Sequence, residues 1–155
     1  IALSAEREAM LQISEQQILG ELQRVEKSAL LLHRSGGGRG FTAGSLQVLK
    51  LQLPESMSYA AFGSSPVAGG DLPLSRGDEE ANVYHYRLQN GRIQSFSSNV
   101  KFCAAEFENG TPLPLIDRPA ILHSGSYEVY LELVRLGNES YVMIYGNQRG
   151  KHAER

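Results

Sequence analysis

The chain's 155 residues, 41% hydrophobic and 21% charged, are enough for a domain with a substantial core, and the balance excludes both a disordered and a collagen-like chain. Fifteen Lys and Arg against 17 Asp and Glu leave a net charge of −2, so nothing in the charge points to a nucleic-acid partner. The single cysteine, Cys103, excludes an internal disulfide framework, four scattered histidines give a thiolate zinc site nothing to close with, and no apolar run reaches the ~20 residues that span a bilayer.

The chain opens on Ile1-Ala2-Leu3-Ser4, without Met, and goes directly into a helical pattern. A hydrophobic segment directly before Ile1 is therefore expected, against the plainer alternative of a removed disordered leader. Residues 1–34 are assigned to one helical region. Leu11, Ile18, Val25 and Leu32 recur seven apart, with Leu22 and Ala29 between them, which places all six on one stripe. Glu15, Glu21, Gln23, Arg24 and Lys27 are expected on the opposite, solvated face. Ser14-Glu15-Gln16-Gln17 has the form of a capping box and would divide the helix near residue 14. The stripe either packs on the chain's own sheet or joins copies of the chain as a coiled-coil seam. Residues 1–13 are less regular and suit a projection, with Met10, Leu11 and Ile13 as a candidate assembly or anchor face.

Residues 35–44 form a Gly-rich break, in which Gly36-Gly37-Gly38-Arg39-Gly40 follows a helix and lacks the Lys-Ser/Thr of a phosphate loop. Residues 45–146 then read as a β-rich head, with a polar tail at 147–155. Ser45–Leu53 alternates with period two and stops at Pro54. Val83–Leu88 and Arg92–Phe96 flank Gln89-Asn90-Gly91 as a hairpin, and Val100–Phe107 runs to Asn109-Gly110. Tyr127–Val134 and Ser140–Tyr145 form a second hairpin around Gly137-Asn138. Residues 63–80, rich in Gly, Pro and acidic side chains, read as a long surface loop. One long helix followed by consecutive strands predicts an α+β fold, a single domain in which an amphipathic helix packs on an antiparallel, hairpin-rich sheet.

Catalytic chemistry finds few parts. Ser98-Asn99-Val100-Lys101 matches Ser-x-x-Lys, but that serine should open a helix, and the companion motifs of the penicillin-recognising enzymes are missing. His33, His85 and His123 sit in three unrelated settings, with His85 expected on a strand face. Cys103, between Phe102 and Ala104, reads as a buried structural thiol, and Glu106 and Glu108 as a solvated strand face. No enzyme, cofactor or metal site is expected. Asn109-Gly110-Thr111 and Asn138-Glu139-Ser140 are acceptor triplets for N-glycosylation at Asn109 and Asn138, each in a turn, which mildly favours an extracytoplasmic protein.

Taken together, several segments resemble the archaeal type IV pilin-like proteins made with class III signal peptides. They are Ile1-Ala2-Leu3 as the tail of a hydrophobic helix, the charged Ala5-Glu6-Arg7-Glu8-Ala9, the amphipathic run to Leu32, and the Gly-rich break. Leu49-Lys50-Leu51-Gln52-Leu53-Pro54-Glu55 and the segment from Ile121 to Val129 complete the resemblance. It implies a helix anchored in a membrane or packed in a filament core, with a β-rich head outside and no chemistry. The partners it implies are other pilin-like subunits or copies of the chain, met through the N-terminal helix, and a membrane met through the upstream segment. The alternative is a membrane-tethered extracytoplasmic ligand-binding or sensor domain, and a hydrolase with a site converging from scattered residues is a third.

Overall fold

The computed structural model describes residues 2–35 and 46–146 and has an α+β architecture. Helix α1 (Ala2–Ser35) is one uninterrupted element, so the expected division near residue 14 does not occur. Ser14 and Glu15 lie inside it and carry helical hydrogen bonding onward. The local capping signal is overridden because the stripe beyond it, starting at Ile18, has a core to join. Of the Gly-rich break expected at 35–44, Ser35 ends the helix and the other residues lie outside the described ones, as does the tail at 147–155.

Among the described residues nine strands form two sheets. The five-stranded sheet has the order β1 (Leu46–Leu53), β8 (Gly125–Leu136), β9 (Glu139–Gly146), β5 (Phe102–Glu108), β6 (Thr111–Leu115). The four-stranded sheet has the order β4 (Ile93–Ser97), β3 (Val83–Leu88), β2 (Met57–Phe62), β7 (Ala120–Leu122). All pairings are antiparallel except β5 with β9. That parallel pair lets a later strand return beside an earlier one, a topology that no hairpin signal encodes.

Val129, Leu131 and Leu133 of β8 are buried and face inward with Leu51 and Leu53 of β1. From the other sheet Ala60, Phe62, Tyr84 and Tyr86 meet them, and Phe62 packs edge-on against Phe102 of β5 at 5.1 Å. Gly63 makes this junction close. Its φ is +108°, and a Cβ there would lie 2.8 Å from the Phe102 carbonyl oxygen, so only glycine lets β2 leave the sheet so near β5.

Strand β2 carries no period-two signal because it is covered on both faces, by the core on one and by the 63–80 segment on the other. Strand β6, Thr-Pro-Leu-Pro-Leu, carries two prolines; at the edge of a sheet their missing N–H groups cost nothing, and they blunt the edge. The 63–80 segment is more than a loose surface loop. It contains two single-turn 3-10 helices, Ala68–Gly70 and Asp78–Glu80, and buries Ser64 and Pro73.

Candidate functional site

Helix α1 is the element that reaches beyond the β-structure, so how it is held defines the candidate site. Ile18, Leu22, Val25 and Ala29 are 0% exposed and Leu32 is 2%, all within the main core cluster. At roughly 1.5–3 kcal/mol per fully buried large aliphatic side chain, this stripe is what fixes the helix to the sheets.

Polar contacts then set its axial position. Tyr86 donates its hydroxyl to Glu15, and Tyr84 donates to Glu26 at 2.8 Å, so two tyrosines of β3 hold two turns of the helix. On the opposite flank the helix closes part of an exposed strand edge. The Gln52 amide donates to Glu21 at 2.6 Å, Gln17 donates to the Gln52 carbonyl at 3.2 Å, and Arg24 donates to the Lys50 carbonyl at 3.0 Å and to Glu21 at 2.7 Å. Side chains of α1 thus satisfy main-chain groups that β1, as an edge strand, would otherwise offer to another chain. This corrects the expectation that Glu15 and Glu21 belong to a solvated face. Both are half-buried and hydrogen-bonded, because the helix lies in the cleft between two sheets and has two buried flanks.

Residue 17 meets residue 52 and residue 24 meets residue 50, so α1 runs antiparallel to β1 and its N-terminus points past the Leu53 end of that strand. Residues 4–13 are all exposed, a length of about 15 Å at 1.5 Å per residue. Met10 is 68%, Leu11 41% and Ile13 66% exposed. Leu11 continues the stripe of Ile18 and Val25 one heptad up, beside the tip of the β3–β4 hairpin at Leu88 and Arg92. The structure brings Met10, Leu11 and Ile13 onto a single helical segment, though Ile13 turns away from the stripe.

An open cleft of about 660 Å³ lies between α1 and the β1–β8 pair, lined among others by Gln17, Glu21, Arg24, Lys50, Tyr127 and Glu128. Burial leaves the Tyr127 hydroxyl with a pKa pushed up to about 12, and the hydroxyl donates to the His123 carbonyl at 2.6 Å. The remaining lining includes the groups that already cap β1, so the cleft has few uncommitted donors and acceptors.

The other sequence candidates do not converge. His33 ends the helix, His85 is fully buried in β3, and His123 is exposed between β7 and β8. The Ser98 hydroxyl accepts from the Val100 amide at 3.3 Å while Lys101 reaches Glu139 at 3.0 Å, so the Ser-x-x-Lys pair does not work together. Cys103 is 0% exposed against Met143, Val134 and Ala81, and burial pushes its thiol up to about 12. Glu106 and Glu108 are exposed on one side of β5. Among the described residues no group of three or more metal-ligating side chains comes together.

The two acceptor asparagines are exposed in hairpin turns, Asn109 with a left-handed φ of +52° between β5 and β6, Asn138 between β8 and β9. Because β5 runs parallel to β9, the C-terminal end of β5 and the N-terminal end of β9 lie at opposite ends of the sheet. Asn109 therefore shares the end toward which the free helical turns point, and Asn138 lies at the far end. No helix among the described residues is long and apolar enough to cross a membrane. Comparison of the chain with family models, curated proteins and solved structures gives no match.

Proposed function

We propose that the protein is a non-enzymatic, pilin-like subunit or accessory component of an extracytoplasmic surface filament, joined to its neighbours through the first turns of α1. The observation that carries this reading is the change along one helix. The apolar stripe is fully buried from Ile18 to Leu32, yet its continuation at Leu11, with Met10 and Ile13 nearby, stands in solvent on the same unbroken element. Leaving such side chains exposed forfeits roughly 1.5–3 kcal/mol each relative to full burial, a penalty that association with another helix removes. The pinning of α1 by Tyr84, Tyr86 and the β1 edge supports the same reading, because a rigid helix transmits position from the assembly to the β-rich head.

The tethered ligand-binding alternative finds less support. In the open cleft beside β1, Gln17, Glu21 and Arg24 of α1 are engaged in holding the helix to the strand. The test is a pair of substitutions, Met10→Ser and Leu11→Ser, made in the native gene and in the chain of 155 residues. The expected result is an unchanged thermal midpoint for the chain and a loss of sheared surface filaments, or of their assembly, from cells. Unfolding of the isolated chain would assign the first turns to its own core and favour the binding-module reading. Normal filaments with both changes present would overturn the assembly role.

A further inference from the structure

We infer that Ser65–Gly77 is a lid closed over the outer face of the four-stranded sheet, with the Glu80 carboxylate as its acid-released latch. Both ends of the lid finish on that one carboxylate: the Ser65 amide donates to Oε1 at 2.9 Å and the Gly77 amide to Oε2 at 2.8 Å. Between these ends the segment has a single backbone hydrogen bond of its own, from Gly70 to the Val67 carbonyl at 2.9 Å, among the described residues. A compact loop with joined ends and little internal structure opens as a unit when its ends are released.

The lid rests on three side chains of alternate residues sharing the outward face of β2 and β3. Next to its first residue, the Ser64 carbonyl lies 2.9 Å from Nδ1 of His85, and this fixes the imidazole with its proton on Nδ1. Nε2 then accepts, and the Tyr59 hydroxyl stands 3.3 Å from it and 3.3 Å from the Asp71 carbonyl. Gly70, at φ +79°, lies on Arg87, where a Cβ would come 3.0 Å from Nε. The covered surface is rich in donors, and two of them, the Ser64 hydroxyl and Arg87 Nε, are buried without a partner among the described residues. Within the lid, next to its Gly77 end, Arg76 makes a separate tie, its amide donating to the Asp117 carbonyl at 3.2 Å and its guanidinium to the Ile116 carbonyl.

Acid acts on the latch through the geometry of the carboxyl group. Once protonated, Glu80 has one oxygen carrying a hydrogen, and that oxygen can no longer receive an amide N–H squarely, so one end of the lid is lost. The charged groups around Glu80 are Arg76 from the lid and His85 from β3, with Asp78 and Glu79 on its own turn. Those around His85 are Glu80, with Tyr59 in contact and Arg87 and Asp71 beyond it. The amide bonds from Gly77 and Ser65, with help from Arg76, hold Glu80 below the usual carboxylate range, and burial holds His85 below the usual imidazole range. Both groups therefore take up protons more readily in the open state, and falling pH drives opening through each.

Hydrogen–deuterium exchange of the whole chain between pH 7.5 and 4, corrected for intrinsic rates, reads the lid directly. Protection across 63–80 is expected to fall at least tenfold while the amides of Ala60, Tyr86 and Leu131 keep theirs. Glu80→Gln, which places an amide N–H₂ against one of the two donors, should open the lid at pH 7.5 to a similar degree. Should that variant lose core protection as well, the pH series on the unaltered protein still decides. Loss of 63–80 protection only together with the core, or a Glu80→Gln lid as protected as the original, would overturn the inference.

Discussion

The Tyr86 hydroxyl donates to the Glu15 carboxylate across 71 residues of chain, tying the last helical turn before the free segment to the middle of the four-stranded sheet. Arg92, at the β3–β4 turn, adds an ion pair to the same carboxylate at 3.4 Å. Above this point, among the described residues, the tip of the hairpin lies beside the helix; below it, two sheets. The bond therefore marks where the helix changes from being part of the core to being an extension of it.

Removing the Tyr86 hydroxyl leaves Glu15 half-buried with only Arg92 to compensate it. Tyr86→Phe should cost about 1–3 kcal/mol, as for a hydrogen bond to a charged group, measured as a shift of the urea midpoint with an unchanged slope. The ring of Tyr86 still fills its fully buried site, so the core itself should be undisturbed.

Leu22 and Leu11 make a matched pair of tests on a single helix. Leu22→Ala opens a cavity in the main cluster and should destabilise by about 2–5 kcal/mol. Leu11→Ala removes a largely solvated side chain of good helix propensity and should change the isolated chain by less than about 0.5 kcal/mol. Equal costs at the two positions, read from chemical denaturation, would place the free turns inside the chain's own core.

Stability should decline in both directions from neutral pH, for different residues. Burial, and for Tyr84 and Tyr86 the carboxylates of Glu26 and Glu15 beside them, raises the tyrosine pKa values in the fold. Their contribution is complete below the unfolded value of about 10 and is lost as pH rises above it, because only the unfolded chain ionises there. His85 behaves in the opposite sense: its folded pKa is lowered by burial, so its contribution is present above about 6.5 and is lost as pH falls. Ultraviolet titration near 295 nm should show Tyr84 and Tyr86 staying protonated at pH 10–11, and thermal midpoints should be highest between about pH 7 and 9.

Cys103 provides a check on the second cluster. A thiol pushed up to about 12 and fully covered should react with aromatic disulfides at pH 8 only as fast as the protein opens. Cys103→Ala should cost about 1 kcal/mol, the loss of a small apolar group beside Met143 and Val134. Stoichiometric labelling of the native chain within seconds would contradict the packing described.

Local pattern determined much of the fold. The seven-residue spacing from Leu11 to Leu32 identified the helix and its apolar stripe, and the period-two run Ser45–Leu53 and the hairpin of Tyr127–Val134 with Ser140–Tyr145 marked strands that the fold contains. These were readable because a helix or strand with one face in the core must carry that face's period in its own residues. Tertiary structure alone decided the rest. It covered β2 on both faces and so erased its period, set β5 parallel to β9, and placed Asn109 and Asn138 at opposite ends of one sheet. It also brought Glu15 to Tyr86, Glu21 to Gln52, and both Ser65 and Gly77 to Glu80. A carboxylate on a helix flank has the same sequence signature whether it meets water or a tyrosine 71 residues away. What decides is which other surface the fold lays beside it, and that depends on contacts between distant segments that no local window contains.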